Sequence, residues 1–179
     1  MRAVPCVRLF LVHVLSCRQT QPRNSLMANG TVIAICITPT AGEPMHEVNE
    51  VQAIAGAGLA GDRYCTAEGS WNRGVPGKRQ VTLINGVFFG GTGFSILDTR
   101  RNFVTAGIEL MWLIGREFEV GNARFRGVKY CDPCARPSKL SGKPHFAEVF
   151  HDRGGLVAEV LEGGLIRTGD SIIPPPRNY

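Results

Sequence analysis

From Gly30 onward, apolar side chains come in short runs of the kind that β-strands use. Thr31–Thr38 is rich in β-branched residues and is followed by Pro39, which cannot continue the hydrogen bonding of a central strand. Gln80–Ile84 is a second such run, and Val48–Ile54 alternates apolar and polar residues in part. Five shorter runs predict further strands: Phe103–Thr105, Glu117–Val120, Ala123–Val128, Leu156–Leu161 and Ser171–Ile173. Many short strands at close spacing favour a closed or nearly closed β-barrel over alternating βαβ units.

Helical patterns are few in this sequence. Ile108–Ile114 has the length of a short helix that Gly115 would end, and Pro144–Phe150 would form another with Pro144 in its first turn. Asn85–Gly86 is either a turn or the entry to a helix. We therefore predict a mainly β chain with a few short helices.

The first 26 residues differ from the rest of the chain. They hold four arginines and no acidic residue, and their apolar run from Val4 to Leu15 is interrupted by proline, arginine and histidine. One interpretation is a start assigned too early, with Met27 as the true first residue; a targeting segment and an ordered extension are the others. We expect residues 1–26 to be disordered and residues 27–179 to form a single domain, because no linker divides them.

Charge and cysteine content narrow the function classes. The 179-residue chain has a formal net charge of +5, but beyond residue 26 it carries 16 basic and 15 acidic side chains. A nearly neutral body makes a nucleic-acid surface a poor inference. No apolar run approaches the roughly 18 residues that a membrane helix needs. Six cysteines are too few for a disulfide scaffold in a chain of this length, so we expect a reducing, cytoplasmic setting. From the charge and the apolar runs, we expect no nucleic-acid or membrane partner.

Two thiols lie three positions apart, at Cys131 and Cys134, in a predicted turn that also holds several cations. A thiolate is the form of cysteine that attacks electrophiles and binds soft metals, and neighbouring positive charge favours it. Lys129, Arg136 and Lys139 are close enough in sequence to lower the pKa of Cys134. The pair is therefore the leading candidate for chemistry in this chain.

Four interpretations of the two thiols stay open at this point. A zinc site needs a second pair of Cys or His ligands at similar spacing, and the other cysteines and histidines form none. A thioredoxin-like dithiol opens a long helix, which Pro137 opposes because it follows Cys134 by only three positions. A single functional thiolate at Cys134 would bind a soft metal or carry sulfur. The fourth interpretation is that both cysteines simply pack within a turn.

Cations recur where loops meet strands, at Arg63, at Lys78–Arg79 and at Arg100–Arg101. The loops at one end of a barrel lie around its mouth, so these side chains can lie close together there. Because guanidinium groups match phosphate oxygens bidentately, convergence would form an anion site. Solvated surface charges are the alternative.

An ordered set of short segments between Gly30 and Ile173 resembles the MOSC domain, the family named for the C-terminal domain of molybdenum-cofactor sulfurase. The order and spacing carry the resemblance, in the segments Gly42–Met45, Gly58–Tyr64, Arg79–Ile84, Arg100–Val104, Gly107–Leu110, Gly115–Phe118, Cys131–Cys134 and Arg153–Leu156. The chain is most similar to small stand-alone bacterial MOSC proteins, including those linked to resistance against N-hydroxylated purines. Those relatives continue the strand at Val81–Ile84 into a helix with a glutamate. Here no acid follows until Asp98, so we expect a shorter or irregular helix.

The resemblance implies a MOSC-type β-barrel with a groove for molybdenum cofactor (molybdopterin). Cys134 matches the cysteine that ligates molybdenum in relatives such as the mitochondrial amidoxime-reducing component, and Cys131 is a second catalytic candidate found in a subset of the family. Arg100 and Asn102 match the arginine and asparagine that approach the cofactor. By motif position, the resemblance also implies that Arg63 and Arg79 contact the cofactor.

The resemblance therefore implies a molybdenum-dependent oxidoreductase that reduces N-hydroxylated small molecules, with electrons from a separate donor protein. One alternative is a persulfide carrier that loads Cys134 from a cysteine desulfurase and delivers sulfur to a metal centre. Pyridoxal phosphate enters only as a family-level association, through the desulfurase domain that some relatives carry. A non-catalytic binding module is the other alternative.

Overall fold

The structure is a computed structural model that describes residues 29–72, 74 and 77–176. The expectations for residues 1–26 lie outside the described residues. The strands are β1 (Gly30–Ile37), β2 (His46–Val48), β3 (Glu50–Ile54), β4 (Gly58–Leu59), β5 (Val81–Asn85), β6 (Phe103–Ala106), β7 (Glu117–Val120), β8 (Ala123–Tyr130), β9 (Leu156–Glu162), β10 (Gly164–Arg167) and β11 (Ser171–Ile173). The helices are α1 (Ala135–Ser141) and α2 (Phe146–Val149), with short 3-10 helices at Gly86–Phe89 and Met111–Leu113.

Seven of these strands close a barrel. Their order is β1, β6, β5, β9, β8, β7 and β11, and β11 pairs with β1 to complete the ring. The β5–β6 pair is parallel, whereas the other neighbours in the ring are antiparallel. Strand β2 extends the sheet beside β1, and β10, β3 and β4 form a separate small sheet. The predicted mainly β barrel is confirmed, and closure explains how so many short strands avoid exposed edges.

The barrel interior holds the larger apolar core. Phe103 and Phe125 are fully buried there, 6.2 Å apart between ring centroids, and Phe118 stacks on Phe125 at 5.7 Å. Each such side chain contributes about 1.5–3 kcal/mol when it leaves water. This core fixes the barrel wall from which the loops of the site extend.

A second apolar cluster covers the outside of β5 and β6. Ile84 and Val104 point outward from these strands and pack with Phe94, Phe146 and Phe150. Strands β5 and β6 are therefore buried on both faces, which explains why the first four residues of β5, Thr82 included, are all buried. The cluster also anchors α2 against the barrel.

Several sequence-based boundaries are corrected by the structure. The helix predicted at Ile108–Ile114 reduces to the 3-10 helix Met111–Leu113, because Ile108 and Leu110 both turn into the barrel core. Helix α2 begins only at Phe146, since His145 before it has a left-handed backbone with φ of 66°. Pro144 thus precedes the helix instead of starting it.

Other elements were missed or divided. The predicted strand Val48–Ile54 is interrupted at Asn49, so that β2 joins the barrel sheet and β3 joins the small sheet. Strands β4 and β10 were not predicted, and both gain their hydrogen bonds from β3. The short, irregular helix expected after β5 is present as Gly86–Phe89, with the Asn85 side chain accepting a hydrogen bond from the Val87 amide. Among the described residues, no helix combines the length and apolarity needed to cross a bilayer.

Candidate functional site

The two thiols lie in the connection between β8 and α1. Strand β8 ends at Tyr130, and α1 starts immediately after Cys134, whose backbone is still extended. The sequence predicted only a turn here, with Pro137 opposing a helix. Pro137 is in fact the third residue of α1, where an amide hydrogen would have no acceptor within the helix, so its ring is tolerated.

The thiol-bearing loop packs closely against the loop that precedes β9. The Cys131 amide donates to the Gly155 carbonyl at 2.8 Å, and the Gly154 amide donates to the Tyr130 hydroxyl at 3.0 Å. A methyl group at Gly154 would collide with the Cys131 carbonyl and with Pro133. Glycine is therefore required there for the two loops to meet.

Cys134 is half-buried and opens onto a pocket rich in positive charge. Asp132 is the one acidic residue in its described lining. Six cations line the same pocket: Arg63, Arg79, Arg100, Arg101, Lys129 and Arg136. Because six cations line the pocket with only one carboxylate, its net charge is positive and it favours anionic ligands. We call it the cationic pocket.

Arg79 is held in place by three neighbours. Its Nε donates to the Tyr64 hydroxyl at 3.1 Å, and its Nη2 donates to the Cys131 Sγ at 3.3 Å. Its guanidinium carbon is 5.7 Å from the ring centroids of both Tyr64 and Trp71. Burial lowers the pKa of Arg79, but the Cys131 thiol and Tyr64 more than offset this and raise it. Arg79 is thus a fixed positive charge at the edge of the pocket.

Arg63 forms the ion pair at the base of the pocket. Its Nη1 donates to the Asp62 carboxylate at 3.0 Å and to the Met45 sulfur at 3.2 Å. Burial raises the pKa of Asp62, although Arg63 and hydrogen bonds from the Tyr64 and Thr38 amides oppose the rise. Because the Asp62 carboxylate offsets the charge of Arg63, Arg63 contributes less uncompensated positive charge to the pocket than its neighbours do.

Asn102 lies beneath the pocket and is not among its lining residues. Its side-chain oxygen accepts from the amide and hydroxyl of Thr82, and its nitrogen donates to the Cys36 carbonyl and to Asp62. The side chain is fully buried, and both ends are occupied by protein atoms. The structure thus places Asn102 as a support for Asp62, apart from the space that a ligand would fill.

Arg100 is the least compensated charge in the pocket. It is 8% exposed and has a left-handed backbone with φ of 59°. Its Nη1 donates to the Glu43 carbonyl at 2.7 Å, whereas its Nη2 has no hydrogen-bond partner in the described part of the chain. Burial, then Arg63 and Arg136, lower the pKa of Arg100 to about 10. An orphaned, buried donor among other cations is a position at which an anion would be stabilised.

Arg101, the next residue, is used differently. Its guanidinium donates to the carbonyls of Gly154 at 2.8 Å, Thr99 at 3.0 Å and Cys131 at 3.2 Å. It therefore ties the thiol-bearing loop to the two loops around it. Although Arg101 lines the pocket, its hydrogen bonds belong to the fold.

The comparisons with known proteins address the family. The family model of the MOSC domain matches residues 77–173, slightly more than half of the chain, and includes Arg79, Arg100 and Cys134. The chain belongs to the MOSC domain family. The resemblance seen in the sequence is thereby confirmed. No curated protein sequence matches the chain significantly.

Solved structures show the same MOSC fold. The chain is similar to the YuaD protein from Bacillus subtilis, with 18% identity and a TM-score of 0.67, over 81% of this chain and 94% of that one. It is also similar to YiiM from Geobacillus stearothermophilus, with 13% identity and a TM-score of 0.60, over 83% and 76%. YiiM from Escherichia coli gives 15% identity and a TM-score of 0.57, over 83% and 71%.

Within this MOSC barrel, most of the residues singled out in the sequence meet in one place. Arg63, Arg79, Arg100 and Cys134 all line the cationic pocket, whereas Cys131 is fully buried behind it. Their assigned roles in cofactor binding and catalysis stay predictions.

Some residues of the site were missed or misjudged. Trp71, which is 62% exposed, and Ser70 line the pocket from a loop with no periodic sequence signal. Arg101 was noted only as part of a basic cluster. Lys139 was expected near the thiol, yet it is not part of the pocket lining.

Proposed function

We propose that this MOSC protein binds molybdenum cofactor in the cationic pocket, with the Cys134 Sγ as a thiolate ligand of the metal. The observation that carries the proposal is the position of Cys134, half-buried in a lining of six cations and one carboxylate. A soft metal prefers a sulfur ligand, and the surrounding positive charge suits an anionic cofactor.

The residues present fit the chemistry of the cofactor. Molybdopterin carries a phosphate, and the buried Arg100 Nη2 is a charged donor without a partner among the described residues. Arg79, Lys129 and Arg136 add positive charge around the same pocket. Among the described residues, no three Cys, His, Asp or Glu side chains form a metal-binding group, so a site assembled only from protein ligands is a poorer fit.

Each residue has a distinct part in this proposal. Cys134 would ligate the metal, Arg100 and Arg136 would hold the phosphate, and Arg79 would add a fixed positive charge to the same pocket. Cys131 acts indirectly, by holding Arg79 through its sulfur. The bound cofactor would supply two-electron chemistry, which we propose is used to reduce N-hydroxylated small molecules with electrons from a separate donor protein.

The test is the molybdenum content of the full chain purified from a host that makes the cofactor. Wild type should carry close to one molybdenum per chain by mass spectrometry of the elements. Cys134→Ser should lose most of the metal, while Cys65→Ser, a half-buried thiol outside the lining, should keep it. Equal molybdenum in wild type and Cys134→Ser would contradict the ligand assignment.

A persulfide carrier is the second candidate, favoured by the accessibility of Cys134 and by the second thiol at Cys131. In that reaction the outer sulfur of a desulfurase persulfide would pass to the Cys134 thiolate, releasing the desulfurase thiolate. Mass spectrometry after incubation with a cysteine desulfurase and cysteine separates the two functions. A one-sulfur adduct on Cys134 in protein without molybdenum would support the carrier.

A further inference from the structure

A second pocket adjoins the cationic pocket and shares Arg100 with it. The rest of its lining is different, and it is mainly apolar. Met45, Leu97, Pro44 and Leu140 contribute carbon surface, and Asp98 and Ser141 contribute polar groups. We call this space the Arg100 side pocket.

The side pocket is built by three segments that are tied to one another. Arg100 Nη1 donates to the Glu43 carbonyl at 2.7 Å, which fixes the loop between β1 and β2. Lys143, just after α1, contacts the Asp98 carboxylate at 2.6 Å. Asp98 in turn accepts from the Ser95 amide at 2.7 Å. Because these ties exist before any ligand arrives, the pocket is pre-organised for binding.

Charge in the side pocket is positive overall. The Asp98 carboxylate is neutralised by Lys143, and burial, which raises its pKa, is outweighed by Lys143 and Ser95, which lower it. Arg100 keeps a buried Nη2 without a partner in the described chain. The other charges near Arg100 are Arg63 with its partner Asp62, and Arg136. An anionic group beside Arg100 would satisfy the orphaned donor and relieve repulsion among the guanidiniums.

Apolar surface in the same pocket fixes the remaining part of the ligand. Leu140, on α1, lines the same pocket as Arg100 and is 43% exposed. Met45 also lines this pocket, and it is buried with its sulfur accepting a hydrogen bond from Arg63, so its side chain is held in place. Covering this surface would contribute about 25 cal/mol per Å².

We propose that the Arg100 side pocket binds a small amphipathic anion, whose carboxylate accepts from Arg100 and whose apolar body packs against Met45, Leu97 and Leu140. This site is separate from the Cys134 thiol, needs no metal and involves no redox step. Because the two pockets share Arg100, this carboxylate and a cofactor phosphate would compete for the same Nη2, but the apolar wall of the side pocket serves the carboxylate ligand alone.

Benzoate is a suitable probe, with benzamide as its neutral counterpart of nearly the same shape. Titration of the ¹⁵N-labelled full chain should shift the amides of Leu97, Ser141 and their neighbours. Benzamide should bind about tenfold more weakly, because charge-assisted hydrogen bonds are about twice as strong as neutral ones. Equal binding of the two probes would overturn the carboxylate assignment.

Leu140→Trp should fill the pocket and abolish the benzoate shifts. Lys139→Trp is the matched control: it adds the same side chain to the neighbouring position of α1, outside the pocket lining, and should leave binding unchanged. Ser141→Phe is a second filling variant, used if Leu140→Trp does not fold. Benzoate binding that survives in a folded filling variant would overturn the proposal.

A second probe separates the two pockets. Inorganic phosphate should bind the cationic pocket and quench Trp71 fluorescence in wild type and Leu140→Trp alike, after subtraction of the signal from the new tryptophan. Benzoate shifts confined to Trp71 and Lys129 would place the anion in the cationic pocket and overturn the side-pocket site.

Discussion

Two groups of arginines in this barrel differ in what neutralises them. On β8, Arg124 and Arg126 form ion pairs with three glutamates of β7 and β9 on the barrel surface. In the cationic pocket, Arg79, Arg100 and Arg101 donate instead to sulfur, hydroxyl and carbonyl acceptors. The surface charges cancel within the fold, whereas those of the pocket do not.

The difference separates ion-paired charge on the surface from uncompensated charge in the pocket. Arg124 and Arg126 have side chains that are 40% and 44% exposed, and exposed ion pairs contribute little to stability because water and salt screen them. Burying an unneutralised guanidinium destabilises the fold unless a ligand compensates. Arg100, with an orphaned donor and a lowered pKa, is therefore the pocket residue that a bound anion would stabilise most.

The largest effect should come from the pocket arginine that serves the fold. Arg101→Met would leave three buried carbonyls, those of Thr99, Cys131 and Gly154, without their donor. We expect a loss of about 3 kcal/mol in the free energy of unfolding, measured by urea denaturation. Arg124→Met on the surface is the control and should shift the urea midpoint far less. Equal shifts for the two variants would remove the distinction between the groups.

The barrel itself was accessible from the sequence because its signal is local. The β-branched run of β1 and the apolar run of β5 identify strands by composition alone. Strand β10 escaped prediction because it is only four residues long, begins with the second glycine of a Gly-Gly pair and depends on pairing with β3. Helix α1 escaped because Pro137 opposes a helix interior but is tolerated in a first turn.

The candidate site was predictable in its chemistry but not in its division of labour. Cys134 and the junction arginines were identified from residue type and position. Arg100 and Arg101 are neighbours in sequence, but Arg100 has a left-handed backbone and a donor without a partner among the described residues, whereas Arg101 donates to three carbonyls. A positive φ at a residue other than glycine has no reliable sequence signal. Asn102 could not be assigned to the layer beneath the pocket because its hydrogen-bond partners Thr82, Cys36 and Asp62 are distant in sequence.

The second-largest effect should be on anion binding, with little change in the free energy of unfolding. Arg100→Met should weaken inorganic phosphate binding by about 10- to 100-fold, because a charge-assisted hydrogen bond to an anion is lost. Its unfolding free energy should stay the same or rise, since an unpaired buried charge is removed. Isothermal titration calorimetry and urea denaturation on the same samples test both parts. A strongly destabilised variant with normal phosphate affinity would assign Arg100 to the fold.

The protonation state of Arg100 should also make phosphate affinity depend on pH. Because the pKa of Arg100 is lowered to about 10, its guanidinium is charged across neutral pH and begins to lose its proton as the pH rises through that value. Phosphate affinity in wild type should therefore be level between pH 7.5 and about 9 and then fall. The part of the fall due to Arg100 should be absent in Arg100→Met. Parallel profiles for both proteins would exclude Arg100 as the titrating group.

A smaller effect should follow from loosening Arg79. Cys131→Ala removes the sulfur that accepts from the Arg79 Nη2, while Cys131→Ser keeps an acceptor. We expect phosphate affinity to fall several-fold in the alanine variant, on the order of 1 kcal/mol, and to be largely retained in the serine variant. A merely structural thiol would instead give equal phosphate affinities in the two variants, whatever their stabilities.

The smallest effect tests the surface half of the comparison. The hydrogen bond from Arg126 holds the pKa of Glu117 below its usual range, aided by Arg124. Arg126→Gln should therefore move the Glu117 pKa back toward that range, as read by ¹³C NMR titration of the carboxylate.

A carboxylate with a lowered folded-state pKa stabilises the fold above its unfolded-state pKa, and this contribution disappears as pH falls through the folded-state pKa. Any stability difference between wild type and Arg126→Gln should accordingly vanish in acid, and 1 M salt should erase it at neutral pH. A Glu117 pKa that does not move would mean that the surface arginines are not paired in solution, and charge cancellation would no longer distinguish them from the arginines of the pocket.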